Sequence, residues 1–386
     1  MRRALTGCCL LVTMVASTDG TAATPSPGCA GTLASGTYRM TDQQVTRTYR
    51  LFVPSRYAPG NAYPLVVVFH GWGGDESEFL GDAQVTTLAD ERGYIVVAPR
   101  GLGSAAPDSN PNSWSFRGST TGLAGKLAGG PAGGTAATNA HPASRGGASN
   151  AAASSAAISS AAICDPSRTP DFTYPSCKHI ARNTCSWTQC QADDVAFTLA
   201  LVKEIESKLC VDPARVFASG GSNGGMFTWE LGQNPASAPT FRAIAALIGL
   251  PHRGYLDPPG QTGAIPVLLI TGSQDRTVPP GPWESAKYTT TTDGSAYYYT
   301  GASAIVRRWG TADHCRYRGS PAVAFNTGIA QSECRTYCGN DPRGWSGGPA
   351  GARWPNVLDC RAAMGHTYDF GWSWKLTLDF FDAHSR

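Results

Sequence analysis

The chain is 386 residues long, 41% hydrophobic and only 15% charged, with a formal net charge of +3. That length and apolar content suit a large α/β fold carrying insertions. The small net charge, with no basic stripe, excludes the electrostatic footprint of a nucleic-acid-binding protein. At the N-terminus, Arg2 and Arg3 precede an apolar stretch from Ala4 to Ala16, with cleavage positions after Ser17 or Ala23. This predicts a secretory signal over 1–23 and a mature chain over 24–386. The apolar stretch is too short to span a bilayer, and no other run is long enough, so no membrane span is expected in the mature protein. Of twelve cysteines, Cys8 and Cys9 fall in the signal and the remaining ten are an even set. They predict five disulfides in an oxidising, extracellular compartment, in preference to zinc at the loosely spaced Cys185/Cys190 and Cys334/Cys338 pairs.

After the signal, Thr48 to Pro54 reads as an early strand. Pro64 to Phe69 is a continuous apolar, β-branched run, as a fully buried parallel strand requires, and Tyr94 to Pro99 is a second. Glu76 to Arg92 between them has helical character. Residues 118–163 are Gly, Ala, Ser and Thr with few large apolar groups, a low-complexity insertion that cannot bury enough surface to order itself. Residues 164–190 then crowd four cysteines into a stapled excursion. In an open α/β sheet this connection leaves the carboxyl edge of the strands, where ligands bind, so the excursion is either a decoration or a substrate-facing lid. Asp193 to Leu209 has apolar residues at helical spacing, with Asp193 as N-cap. Arg215 to Ser219 reads as a short buried strand and Gly225 to Leu231 as a helix start. Strands follow over Arg242 to Leu250 and Pro266 to Ile270, and Gly371 to His384 is a closing helix. The alternation predicts a mostly parallel α/β sheet with helices on both faces.

Between the Arg215 strand and the Gly225 helix lies Gly220-Gly221-Ser222-Asn223-Gly224. G-x-S-x-G between strand and helix is a nucleophile elbow, in which a sharp turn lifts a serine clear of the sheet. A serine needs a base, and the base needs an orienting acid; in this fold they follow in the order Ser, Asp or Glu, His. Asp275 fits the acid, just past the Pro266 strand. His366 fits the base, in a loop before the closing helix; His314 is its rival among the histidines after Asp275. Two backbone donors are expected to hold the oxyanion: the amide of Asn223, at the helix N-terminus, and that of Trp72, in the glycine-rich loop His70-Gly71-Trp72-Gly73-Gly74. His70 reads as a structural hydrogen-bonding residue. This chemistry, acyl transfer from an ester through Ser222, His366 and Asp275, calls for no cofactor and no metal.

These motifs together resemble carbohydrate esterase family 1 and the related extracellular polyhydroxybutyrate-depolymerase-like esterases. The resemblance is carried by Val68 to Gly74, Asp193 to Phe197, Cys210 to Val216, Gly220 to Met226 and Gly365-His366, and it spans roughly 45–386 apart from the insertion. It implies the α/β-hydrolase fold and a secreted serine esterase acting on an ester substrate, polysaccharide-linked or polymeric. Feruloyl or acetyl esters of plant cell-wall polysaccharide lead, with polyhydroxyalkanoate as the alternative. A peptidase, or a silent binding protein on the same scaffold, is a further reading. Two departures stand out: the Ala/Gly/Ser insertion, and Ala363-Met364-Gly365-His366 where the family often has a run of glycines before the histidine. Cys315, Cys334, Cys338 and Cys360 are expected to form two bridges holding the histidine loop, with pairing open.

Overall fold

The computed structural model describes residues 24–102, 112–116, 120–121, 188–189, 193–251, 265–284, 288–292, 298–313, 322–338 and 354–385. The signal 1–23 lies outside them, as do the insertion 118–163 and the excursion 164–190 apart from two short strands. In chain order the strands are β1 Gly36–Asp42, β2 Val45–Phe52, β3 Tyr63–Phe69, β4 Ile95–Pro99, β5 Thr120–Thr121, β6 Thr188–Gln189 and β7 Val211–Gly221. They continue with β8 Ala243–Leu247, β9 Val267–Gly272, β10 Tyr288–Thr290, β11 Tyr298–Thr300, β12 Val323–Phe325, β13 Ser332–Thr336 and β14 Val357–Ala362. The helices are α1 Ser77–Leu80, α2 Ala83–Arg92, α3 Asp194–Lys208, α4 Asn223–Gln233, α5 Ala302–Ala312 and α6 Phe370–Ala383.

A ten-stranded sheet has the order β1-β2-β4-β3-β7-β8-β9-β14-β13-β12. Its centre, from β4 to β14, is parallel throughout. Antiparallel strands close both edges, β2 with β1 on one side and β13 with β12 on the other. The parallel strands are buried on both faces, which is why β3 is apolar at every position from Leu65 to Phe69. Its residues still alternate. Leu65, Val67 and Phe69 pack with α3, α4 and α5 residues, whereas Val66 and Val68 pack with those of α1, α2 and α6. Helices therefore cover both faces, as the alternation of elements predicts.

Local signals explain the element ends. The Asp193 carboxylate accepts from the Ala196 amide at 3.0 Å and caps α3, as expected. The predicted helix over 76–92 is two helices. Asp82 breaks it by adopting extended backbone and accepting from the Gln84 amide at 2.7 Å, which starts α2 anew. Gly93, at φ 72°, ends α2 in the left-handed conformation. β7 is longer than the predicted Arg215–Ser219 strand and delivers its last residue directly to Ser222. Two disulfides join described residues: Cys29–Cys210, which ties the N-terminal segment to the start of β7, and Cys334–Cys360, which joins β13 to β14. Cys338 is disulfide-bonded as well.

Candidate active site

The turn from β7 into α4 brings backbone segments into close contact. A Cβ added at Gly220 would lie 2.5 Å from the Gly224 carbonyl, and one at Gly224 would lie 2.2 Å from the Phe69 carbonyl oxygen. Only glycine fits at either position. Ser222 itself sits at φ 50°, ψ −115°, a conformation that L-residues rarely adopt. Its amide donates to the Leu247 carbonyl at 2.8 Å, and its carbonyl accepts from the Met226 amide at 2.8 Å. Those two bonds hold the strained residue between β8 and the first turn of α4.

The structure brings Ser222, His366 and Asp275 together. His366 Nε2 lies 2.9 Å from Ser222 Oγ, and His366 Nδ1 lies 2.7 Å from Asp275 Oδ2. The residues are far apart in sequence, and sheet order unites them. β9 and β14 are parallel neighbours, so the loops that leave their carboxyl ends run side by side. Backbone bonds stitch those loops: Ser273 N–H to Ala362 O at 2.8 Å and Gln274 N–H to Met364 O at 3.0 Å. Asp275 is buried, and its Oδ1 accepts from the Thr277 and Val278 amides, both at 2.8 Å. The other oxygen faces His366. A carboxylate there favours the proton on Nδ1 and leaves the Nε2 lone pair facing Ser222, the arrangement in which an imidazole takes a hydroxyl proton. Ser222 is 7% exposed.

Of the two residues expected to supply oxyanion donors, Asn223 is the first residue of α4 and is fully buried. Its side-chain Oδ1 accepts from the Trp114 amide at 2.8 Å. Trp72 lies in the loop that follows β3 and is 53% exposed. The neighbouring Gly71 abuts the elbow: a Cβ there would fall 3.5 Å from Ser222 Cβ.

His70 lies beneath this loop. Its Nε2 accepts from the Gly101 amide at 2.8 Å, so Nδ1 carries the proton and donates to Gly71 O at 2.6 Å. Burial lowers its pKa to about 4, which keeps the ring neutral. His384 ends α6, bonds the Phe380 carbonyl, and is likewise held near 4 by burial. The rival His314 lies outside the described residues, as do His141, His179 and His252.

Several residues of the site carry no local motif. Asn112 accepts from Gly73 N–H at 2.8 Å through its carbonyl and donates from its side chain to Gly74 O at 3.0 Å. Trp114 donates through Nε1 to His70 O at 2.9 Å. Glu78 accepts from Gly71 N–H at 2.8 Å and is hydrogen-bonded by Tyr368. The position of Tyr368, two residues beyond His366, is the one sequence cue among them. Among the described residues, no three His, Cys, Asp or Glu side chains converge as a metal-holding group.

Sheet order, the antiparallel edges and the strand–serine–helix turn define an α/β-hydrolase fold. An acetyl xylan esterase from Aspergillus awamori shares that fold with a TM-score of 0.50 at 15% identity, over 90% of this chain and 99% of that one. No protein-family model matches the chain. In sequence it is similar to a probable feruloyl esterase C of Aspergillus niger, 36% identical over 93 residues, which are 24% of this chain and 33% of that protein. It is also similar to feruloyl esterase B of Piromyces equi, 31% identical over 129 residues, 32% of this chain and 22% of that protein. The chain thus spans about a third or less of the length of these curated relatives. The sequence similarity to feruloyl esterases and the fold shared with an acetyl xylan esterase support an esterase-type α/β-hydrolase.

Proposed function

We propose that this protein is a secreted serine carboxylesterase, with residues 24–386 forming one catalytic domain, acting on feruloyl or acetyl esters of plant cell-wall polysaccharide. The observation that carries the reading is the hydrogen-bonded series from Asp275 through His366 to Ser222, at 2.7 and 2.9 Å. In this mechanism Ser222 Oγ attacks the ester carbonyl carbon as His366 Nε2 takes the hydroxyl proton. Asp275 stabilises the imidazolium, and the Asn223 and Trp72 amides hold the oxyanion. His366 then protonates the departing alcohol, leaving an acyl-serine. Water, deprotonated by His366, attacks that acyl group, releases the acid and restores Ser222. The substrate class rests on the names of the similar proteins and on the exposed Trp72 ring beside the site, a platform for an aromatic acid or a sugar. The charged-then-apolar N-terminus and the disulfides support secretion.

The test is a panel of methyl ferulate, p-nitrophenyl acetate and a hydroxybutyrate oligomer. The expected result is turnover of the first two, with Ser222→Ala lowering kcat by about 10⁶. Preference for the oligomer would move the substrate to a polyester. Wild type and Ser222→Ala acting equally slowly on all three would sink the esterase reading.

A further inference from the structure

The loop from His70 to Gly74 has three glycines among its five residues, so its shape depends heavily on bonds from neighbouring segments. Yet an oxyanion donor on it must be placed to within a fraction of an ångström. Besides the Asn112 and Trp114 bonds already described, two further segments hold it. Glu78 Oε1, on α1, accepts from Gly71 N–H at 2.8 Å. The same carboxylate fills the curve of the loop, since a Cβ at Gly74 would fall 2.1 Å from Glu78 Oε2. The Tyr368 hydroxyl, from the segment just past His366, hydrogen-bonds this carboxylate. The Tyr368 ring in turn lies flush on the nucleophile turn. A Cβ at Gly221 would fall 2.2 Å from ring atoms Cε1 and Cζ, and one at Gly71 would fall 2.8 Å from the hydroxyl oxygen.

We propose that Glu78 and Tyr368 are positioning residues that clamp the Trp72 loop to the nucleophile turn and so set one of the two oxyanion donors. The inference rests on the esterase reading above. One carboxylate and one phenol connect the three segments that must agree in space: the loop after β3, the turn at Ser222 and the segment carrying His366. Burial is the largest influence on Glu78 and pushes its carboxyl above the usual range; the Gly71 amide and the Tyr368 hydroxyl favour the charge, and Asp75 opposes it. None of them is a cation. A negative charge here works against a nearby oxyanion, so the contribution of Glu78 is geometric and not electrostatic. Glutamine, which keeps a carbonyl acceptor for Gly71, should therefore largely replace it.

The test uses the full chain as wild type, Glu78→Ala, Glu78→Gln and Tyr368→Phe, each checked for folding by circular dichroism. Three readouts are taken: kcat and KM on p-nitrophenyl acetate, the rate of fluorophosphonate labelling at Ser222 by intact mass, and amide exchange of the peptide containing Gly71. Glu78→Ala is expected to lower kcat and labelling by about 10- to 100-fold with KM within about twofold, and to speed exchange. Glu78→Gln should stay within about threefold of wild type in all three, since the acceptor remains. A folded Glu78→Ala protein that labels and turns over like wild type, or that loses activity through KM alone, overturns the proposal. If Glu78→Ala does not fold, Tyr368→Phe decides: at least about fivefold slower labelling supports the clamp, and an unchanged rate overturns it. Wild type that labels at Ser222 but hydrolyses no ester defeats the esterase reading alone, and the labelling rates still judge the clamp. Wild type that does neither defeats Ser222 as the nucleophile, and amide exchange alone then judges the clamp: faster exchange in Glu78→Ala or Tyr368→Phe supports it, unchanged exchange overturns it.

Discussion

Asp275 shows how much one side chain can decide. Two backbone amides fix its Oδ1, so only Oδ2 is left for His366. In Asp275→Asn the side-chain carbonyl would keep the two amides, and its NH2 would face Nδ1. That presents a donor where an acceptor is needed, driving the imidazole proton to Nε2 and against Ser222. The expected outcome is a fold left intact and kcat lowered by about 10⁴ on p-nitrophenyl acetate. The two buried histidines give a prediction for stability. In the folded protein His70 and His384 titrate near 4, below their ordinary 6.5, because burial disfavours the charged ring. The unfolded chain therefore binds more protons between those values, and stability falls as pH drops from about 6.5 towards 4. Each ring accounts for of order 3 kcal/mol when the drop is complete. Urea midpoints measured from pH 7 to 4 should fall, and His384→Gln should flatten the slope. An unchanged slope in that variant would remove His384 from the account. Ser222, Asp275 and His366 were legible from motif and chain order. Glu78 and Tyr368 were not, because an acid in a first helical turn reads as an ordinary solvated residue until the loop it supports is in view.

Among the elements, β14 does the most to place the site. It carries Asp359 and Arg361, a buried ion pair at 3.0 Å, two residues before the loop that leads to His366. Arg361 also donates to the Gly281 carbonyl at 2.5 Å and to Ser303 Oγ at 2.9 Å, and its guanidinium lies 3.7 Å over the Trp283 ring. These contacts hold the segment that follows Asp275 down on β14. Burial pushes the Asp359 carboxyl up, so the ionised form depends on its arginine. Arg361→Met should lower stability by about 3–5 kcal/mol in urea unfolding, since it strands a buried carboxylate. A loss under about 1 kcal/mol would show that the carboxylate simply takes up a proton. At this scale the long apolar strands and the capped helix α3 were readable. β12 and β13 were not: they are short, half exposed and mixed in composition, as antiparallel edge strands are.

Over the whole molecule, the Cys29–Cys210 bridge closes a separation of 181 residues. Ser26 reinforces it, with its hydroxyl on the Leu209 carbonyl at 2.7 Å and its amide on the Val211 carbonyl at 3.0 Å. The bridge sits where β7 begins and Ser222 follows where β7 ends, about 20 Å away by the length of the β3 strand it pairs with from Tyr63 to Phe69. Replacing both cysteines by serine should therefore lower stability by about 2–5 kcal/mol while leaving kcat at 25 °C within about twofold. Calorimetry and kinetics on the same preparation check both halves. Neither face of the sheet is bare: α3, α4 and α5 cover one and α1, α2 and α6 the other. Among the described residues no helix is long and apolar enough to cross a membrane.

By itself, the sequence determined whatever depends on neighbours along the chain. Apolar runs announced the parallel strands, Asp193 announced the start of α3, and the glycines around Ser222 announced a turn too tight for side chains. Each is a local steric or hydrogen-bonding requirement, written within a few residues. Only the tertiary structure decided what depends on sheet order. That β9 lies beside β14, so that Asp275 meets His366, follows from how ten strands pair. That Glu78 and Tyr368 close on Gly71 and Gly221 follows from loops converging at one edge of that sheet. Contacts between distant segments are satisfied by shape, and shape leaves no periodic mark in the chain.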